Sequence, residues 1–341
     1  MTPLTVRGFA PVDAEGALRP YSYDVDVLAE TDVLVAVTHC GICFSDIDCI
    51  DNVLGYHRFP FVPGHEVIGT VRAVGSRVRH LDVGQRVGVG PNARSCMVCE
   101  ACRNGHEQLC PTGQLTLLPG LNGGFADHLV AGEEWTFPIP DGLDSAHAAP
   151  LMCAGVTTFA PLRRHVTSPM MRVGVIGIGG LGHLGLQFAS RMGVEVTALA
   201  ANTGPADDAL YRALGAHHVV NITDAGAMRT EHGRYDVLLS TIHGKTTTVK
   251  HFVRLLRPNG KLVVVGAAMQ PLDMPAAHLV LGQTSIIGSA SGSRRDLVDM
   301  LEFATRHGIV PMIETIPMSD VNLGIAKVRE GLPRFRVVLE V

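Results

Sequence analysis

No stretch of the chain approaches the roughly 18–20 uninterrupted apolar residues that a membrane span requires. No block of Lys or Arg occurs either, and 28 basic against 32 acidic residues leave a formal charge of −4. Such a chain has no electrostatic footprint for nucleic acid or for an anionic membrane surface. Neither partner is expected. Residues 1–10 lack the charged segment followed by an apolar one that marks a secretory signal. The expected location is therefore the reducing cytoplasm, where cysteines act as thiols or metal ligands before disulfides. Tryptophan is nearly absent. Trp135 is the only one, and an anchoring role in the core or at the surface is expected of it. Charged residues are sparse at 18% against 46% hydrophobic, which excludes a largely disordered chain. The 341 residues exceed the ~250–300 at which single cores stop growing, so two domains are expected.

The first third contains short Val-rich runs broken by Gly, Pro and Asp. Val33–Val37, Val67–Val71 and Arg86–Val89 read as strands of a β-rich unit, with turns at Gly75-Ser76 and Asp82-Val83-Gly84. Near residue 150 the pattern changes. A strand at Val173–Ile176 is followed by a glycine loop and a helix over Leu184–Met192. Glu195–Leu199 is the next strand, and Asp207–Leu214 the next helix. Val219-Val220, Val237–Leu239 and Lys261–Val265 continue the strands, with a helix over Thr246–Leu256 between the last two. Alternating strands and helices predict a parallel sheet covered on both faces. A helix over Asp296–His307 and strands at Ile313–Ile316 and Arg336–Val341 return to the first domain.

Gly177, Gly179 and Gly182 match G-x-G-x-x-G, after a predicted strand and opening a predicted helix. That context is what a dinucleotide fingerprint requires. The glycines allow a tight turn and close approach to a pyrophosphate, and the helix N-terminus offers free N–H groups. Gly180 and Leu181 lie in the same loop. The end of the next strand, with Ala200, Asn202 and Thr203, carries no carboxylate to repel a 2′-phosphate, so NADP(H) is favoured over NAD(H). It also carries no Lys or Arg to grip one.

Eight cysteines are present. Cys96, Cys99, Cys102 and Cys110 follow C-x2-C-x2-C-x7-C, which can close around one tetrahedral Zn²⁺. An iron–sulfur cluster is the rival, and the last spacing is too long for it. Cys43, His65 and Cys153 stand out as two thiolates and an imidazole. Such a trio leaves a fourth position open and makes a Lewis-acid zinc site. Spacing alone cannot assemble ligands so far apart. His65-Glu66 is not part of H-E-x-x-H, because position 69 is glycine, so a zinc peptidase is excluded. Cys40 and Cys49 are left unassigned.

These motifs resemble the zinc-dependent medium-chain alcohol dehydrogenases, within them the cinnamyl alcohol dehydrogenase-like group. Cys40–Asp46, Gly64–Gly69, Val74–Ser76, Gly123–Ala126, Leu151–Thr158, Gly177–His183 and Gly260–Gly266 carry the resemblance, in order along nearly the whole chain. It implies an α/β protein with a GroES-like β-rich catalytic domain, residues 1–152 and 295–341, and a Rossmann doubly wound parallel sheet, residues 153–294. It implies two zinc ions per chain: a catalytic one on Cys43, His65 and Cys153, and a structural one on the other four cysteines. Glu66 corresponds to an acid that can approach the catalytic zinc. Asp46 corresponds to a group orienting the histidine. Ser45 corresponds to the hydroxyl exchanging a proton with the substrate, and Thr157 lines the nicotinamide site. The implied reaction is hydride transfer between NADP(H) and a small-molecule alcohol or aldehyde, with reduction of C=N or conjugated C=C bonds as the alternative. A homodimer or homotetramer through the Rossmann domain is implied, and Ser285–Gly288 is the candidate edge strand.

Two residues depart from the family pattern. Phe44 stands where relatives carry His or Arg facing the cofactor phosphates. Asp48 stands where relatives carry a histidine that passes the proton to solvent, so Asp48 or ordered water is expected to end the relay. Phe44, Ile50, Leu54 and Tyr56 are the candidate pocket residues near the zinc, with a packing role equally open for each.

Overall fold

The computed structural model describes residues 3–116, 120–243, 249–266 and 271–341. The chain divides into two compact units, residues Met1–Cys153 with Gly292–Val341, and Ala154–Ser291. The division falls one residue later than the expected 152/153, so Cys153 goes with the first unit. The return falls at Gly292 rather than at 295.

The first unit is built on a seven-stranded sheet. Its order is Ile313–Pro317, Arg336–Glu340, Asp32–Ile42, Val67–Val74, Arg86–Val89 and Thr136–Pro138, with His128–Gly132 also paired to Asp32–Ile42. The first two strands run parallel and the remaining pairs antiparallel. Val33, Val35, Val67, Val71, Val87, Val89, Leu129 and Val337 form its core. These β-branched runs suit a pleated, buried surface. Gly75 is required at the turn, since a Cβ there would sit 2.2 Å from the Ala29 carbonyl oxygen. Trp135 is fully buried and its Nε1–H donates to Ser95 Oγ at 2.7 Å, which makes it a core anchor.

The register positions the site. Cys40 pairs with Val67 in the antiparallel ladder. Cys43, just beyond Ile42, therefore comes beside His65 and Glu66, just before Val67. On the other side Val337 pairs with Ile42, which carries Arg336 to the same end.

The second unit is a six-stranded parallel sheet in the order His218–Asn221, Glu195–Ala200, Arg172–Ile176, Tyr235–Ser240, Leu256–Val264, Ser285–Gly288. The order reverses at Arg172–Ile176, the switch point where doubly wound sheets bind ligands. The intervening helices include Gly182–Arg191, Pro205–Ala213 and Ala225–Thr230. Where Thr246–Leu256 was expected to be helical, the described helix is Val249–Val253, and residues 246–248 lie outside the described residues. Leu256 instead opens a strand, because it pairs with Tyr235 before the register shifts.

Candidate metal centres and nucleotide loop

Cys43 caps the helix Phe44–Ile50 with extended backbone. Inside that helix the fully buried Asp46 carboxylate gathers three donors. Its Oδ2 accepts from the Cys43 N–H at 2.9 Å, and its Oδ1 from the Gly64 N–H at 3.0 Å and from His65 Nδ1 at 2.8 Å. This fixes the His65 ring so that Nε2 stands 3.2 Å from Cys153 Sγ. Gly64 has φ +103°, and a Cβ there would meet Phe125 at 2.6 Å. Cys153 sits in the π-helical turn Leu151–Gly155, a distortion common at functional sites.

One ligand atom each from Cys43, His65, Glu66 and Cys153 lie within 4.8 Å of one another, all buried. Glu66 Oε1 accepts from the buried Arg336 guanidinium, while Oε2 is buried without a hydrogen-bond partner. A buried carboxylate oxygen left unpaired is expensive, and a cation would satisfy it. Two thiols, an imidazole and this carboxylate are the donor set of zinc, so the residues fit the ion. Gly41 makes room, since a Cβ there would fall 2.0 Å from Glu66 Oε2.

The electrostatics agree. The Cys153 hydrogen bond, with His65 and Arg336 nearby, holds Cys43 well below the usual thiol range. The same contact and burial push Cys153 up. Burial alone would depress His65, but Asp46 and Cys43 outweigh it and raise it. Burial pushes Glu66 up to about 7 although Arg336 opposes it. Ser45 Oγ lies 3.9 Å from Cys43 Sγ, at the edge of this cluster.

The second cluster is local. The sulfurs of Cys96, Cys99, Cys102 and Cys110 also lie within 4.8 Å of one another. Backbone N–H groups of Cys96, Cys99 and Cys102 point at Cys110, Cys96 and Cys99 sulfurs at 3.4, 3.3 and 3.5 Å. The N–H groups of Val98 and Cys99 pull Cys96 down to about 6, and burial pushes Cys102 up to about 12. Four thiols placed this way fit a closed tetrahedral zinc site. All eight cysteines are unbridged.

In the second unit Gly177 has φ +86° and its N–H donates to the Leu199 carbonyl. A Cβ at Gly182 would lie 2.0 Å from the Gly177 oxygen, whereas one at Gly179 would meet nothing within 4 Å. Gly182 is thus needed for helix packing, and Gly179 opens a cradle that a phosphate can enter. Gly180 and Leu181 are half-buried beside it, and no side chain caps the helix Gly182–Arg191, although the His183 and Leu184 N–H groups donate to the Gly179 and Leu181 carbonyls.

Asn202 is exposed and Thr203 half-buried, but Ala200 is buried and its carbonyl accepts from the Ile222 N–H. Ala200 therefore offers a ligand little, unlike its two neighbours. A cavity of about 500 Å³ adjoins the end of this sheet, with Ile222, Met228, Ile242 and Phe252 as apolar lining and Arg229 and Arg254 as cations. Sequence reasoning did not find it, because its walls come from four separate elements. Thr157 is 8% exposed near the start of the helix Val156–His165.

Of the pocket candidates, Ile50 is 1% exposed and belongs to the core. It faces inward on a helix too short for periodicity to reveal its buried side. Phe44, Leu54 and Tyr56 are exposed, at 38, 45 and 63%. Asp48 is half-buried. Arg336 and Gly41 were not singled out in the sequence; only the burial of Arg336 marks it.

Residues 29–141 match the family described as the alcohol dehydrogenase GroES-like domain, and residues 180–306 that described as zinc-binding dehydrogenase. An aldehyde reductase of a Synechocystis species is 38% identical over 98% of both chains. A probable cinnamyl alcohol dehydrogenase of Arabidopsis thaliana is 37% identical over 98% of this chain and 93% of its own. Among solved structures, a cinnamyl alcohol dehydrogenase of Sorghum bicolor superposes with a TM-score of 0.94 at 37% identity, covering 99% and 98% of the two chains. One from Helicobacter pylori, complexed with NADP(H), gives 0.89 at 28% identity over 99% of each.

Proposed function

Because the chain belongs to the zinc-dependent medium-chain alcohol dehydrogenases, in their cinnamyl alcohol dehydrogenase-like group, we propose that it interconverts an aldehyde and its primary alcohol with NADP(H). The observation that carries this reading is the buried donor set of Cys43, His65 and Cys153 beside the unpaired Glu66 Oε2. When bound, zinc supplies a Lewis acid for the substrate oxygen and the reduced nicotinamide supplies the hydride.

Reduction adds a hydride to the carbonyl carbon and a proton to its oxygen. The protein's own task is the proton. Ser45, beside Cys43, hands its hydroxyl proton to that oxygen, and solvent restores it through Asp48 or ordered water. General acid catalysis of this kind contributes typically ~10²–10⁴-fold. Asp46 holds the His65 ring in place, and Arg336 holds Glu66 beside the ligands. Oxidation of the alcohol runs the same path backwards.

Gly177, Gly179, Gly180, Leu181 and Gly182 receive the pyrophosphate. Asn202 and Thr203 bring no negative charge against a 2′-phosphate, which supports NADP(H) over NAD(H), as does the NADP(H) in the Helicobacter relative. Thr157 is assigned to the nicotinamide side. Cys96, Cys99, Cys102 and Cys110 hold a second, structural zinc. The unbridged cysteines suit the cytoplasm, and among the described residues no helix is long and apolar enough to cross a membrane. The edge strand Ser285–Gly288, with Val280 and Leu281 exposed on the preceding helix, supports a homodimer or homotetramer.

A second reading, reduction of C=N or conjugated C=C bonds, is favoured by Asp48 standing in place of the relay histidine. A panel of aliphatic, terpenoid and aromatic aldehydes with NADPH and NADH, on zinc-loaded and metal-depleted protein, tests both. Full activity without metal, or failure on every aldehyde despite cofactor binding, overturns the first reading.

A further inference from the structure

The helix Phe44–Ile50 carries Ser45, Asp46 and Asp48, yet it has only seven residues. A helix this short does not hold itself together, so both ends must be fixed from outside. Asp46 fixes the N-terminal end. At the C-terminal end the last turn contains no basic residue, although a cation is favoured there.

That cation comes from a residue 278 positions away. Arg329, at the end of the helix Val321–Arg329, donates from Nη1 to Asp51 Oδ2 at 2.6 Å and from Nη2 to Asp51 Oδ1. The fork-to-fork geometry fixes direction as well as distance. Asp51 is the C-cap of the short helix, and its N–H donates to the Ile47 carbonyl. Asp51 raises the Arg329 pKa, and Glu15 and Asp48 add to the effect, so the guanidinium faces three carboxylates.

Beyond Asp51 the chain turns through Asn52, at φ +52°. Asn52 Oδ1 accepts from the His57 N–H at 2.9 Å, and its Nδ2 donates to the His57 carbonyl. The turn is closed on itself; the helix end is tied to the rest of the unit by the buried Ile50, whose carbonyl accepts from the Glu15 N–H, and by this ion pair, which alone of these is a charged fork.

We propose that Arg329 is a positioning residue for proton transfer: its fork clamps the end of the helix Phe44–Ile50 through Asp51, and thereby sets where Ser45 and Asp48 stand. The proposal rests on the reading that Ser45 hands over the proton. Arg329 itself touches neither substrate nor cofactor. Its effect is on kcat, since a misplacement of about 1 Å at reacting groups can cost on the order of 10²-fold, while uniform binding of substrate is left alone.

The test is steady-state kinetics of the zinc-loaded enzyme in H₂O and D₂O, for Arg329→Met, Arg329→Lys, the charge swap Asp51→Arg with Arg329→Asp, and Ser45→Ala. Arg329→Met is expected to lower kcat by about 10–100-fold with KM for the aldehyde nearly unchanged. Its solvent isotope effect should rise as proton transfer becomes limiting. Arg329→Lys, a point charge without the fork, should recover part of kcat, and the charge swap most of it. Asp51→Asn serves if Arg329→Met does not fold, with the same expectation. Unchanged kcat and isotope effect in Arg329→Met, or a lower kcat that neither Lys nor the swap restores, overturns the clamp. If Ser45→Ala leaves both unchanged, the proton-donor reading fails instead.

Discussion

The two sulfur clusters differ in how they are assembled. Cys96, Cys99, Cys102 and Cys110 come from one loop, and their sulfurs are held by the loop's own N–H groups. Cys43, His65 and Cys153 come from three distant segments, and Asp46, Glu66 and Arg336 stand behind them. The local cluster needs only its spacing. The distributed one needs a sheet register, a glycine with positive φ and a buried ion pair before any ligand is in place. A site built that way is asymmetric, which suits the catalytic role proposed for it. A closed four-thiol loop can only hold.

The largest effects follow from breaking each cluster. Cys43→Ser should lower kcat/KM by at least about 10³-fold, because the Lewis acid is worth several kcal/mol and each 1.36 kcal/mol is tenfold. Its melting temperature should move little. Cys99→Ser should do the reverse, lowering Tm sharply while the molecules that remain folded turn over, since structural zinc contributes folding energy. Zinc content, Tm and kcat/KM on both variants check this. Equal loss of activity in both would erase the distinction.

Next comes the scaffold of the distributed site. Asp46→Asn keeps the shape but removes the charge that orients His65 and receives the Gly64 N–H. Loss of a partner of this kind typically costs ~10–100-fold in metal affinity or activity. Zinc competition with a chelator measures it, and an affinity unchanged from the parent would show that the sheet register alone holds the ring.

A smaller effect concerns Glu66 in metal-free protein. Its carboxyl is pushed up from 4.5 to about 7, first by burial. The folded state therefore keeps a proton that the unfolded state has lost in that window, and stability falls as pH rises through it. Tm of the metal-free protein should drop by a few degrees between about pH 5 and about pH 7, and Glu66→Gln should flatten the change. An equal slope in the variant would reject Glu66 as the source.

The same contrast explains what could be read from the chain. The local cluster and the glycine loop were legible because their chemistry lies in short spacings, and the Val-rich runs of the first unit marked its strands. The distributed trio stood out by residue type, but its spacing could not join the three, and only the family resemblance did. The Arg336–Glu66 and Arg329–Asp51 pairs join residues 270 and 278 apart, and no local pattern announces them. For Ile50 pocket and packing roles were both open, because seven helical residues do not define a buried face, and burial decides for packing. Leu256 was misread as helical because its pairing with Tyr235 is decided by the sheet.

The smallest effect lies in backbone strain, and it too separates the two sites. Gly64 next to His65 has φ +103° and no room for a Cβ. Met97, between the first two cysteines of the loop, has φ +58° and is 36% exposed. A non-glycine residue in that region is disfavoured by about 1–2 kcal/mol. Glycine relieves this but gives up about 0.5–1 kcal/mol of chain entropy. The two nearly cancel, so Met97→Gly should leave turnover intact and raise Tm by no more than a few degrees. Gly64→Ala, by contrast, should cost both zinc and activity, since its Cβ would press on Phe125. Thermal melts with zinc analysis compare the pair. If Met97→Gly strips the loop of zinc, the local cluster depends on more than its spacing, and the contrast between the two sites narrows to their ligands.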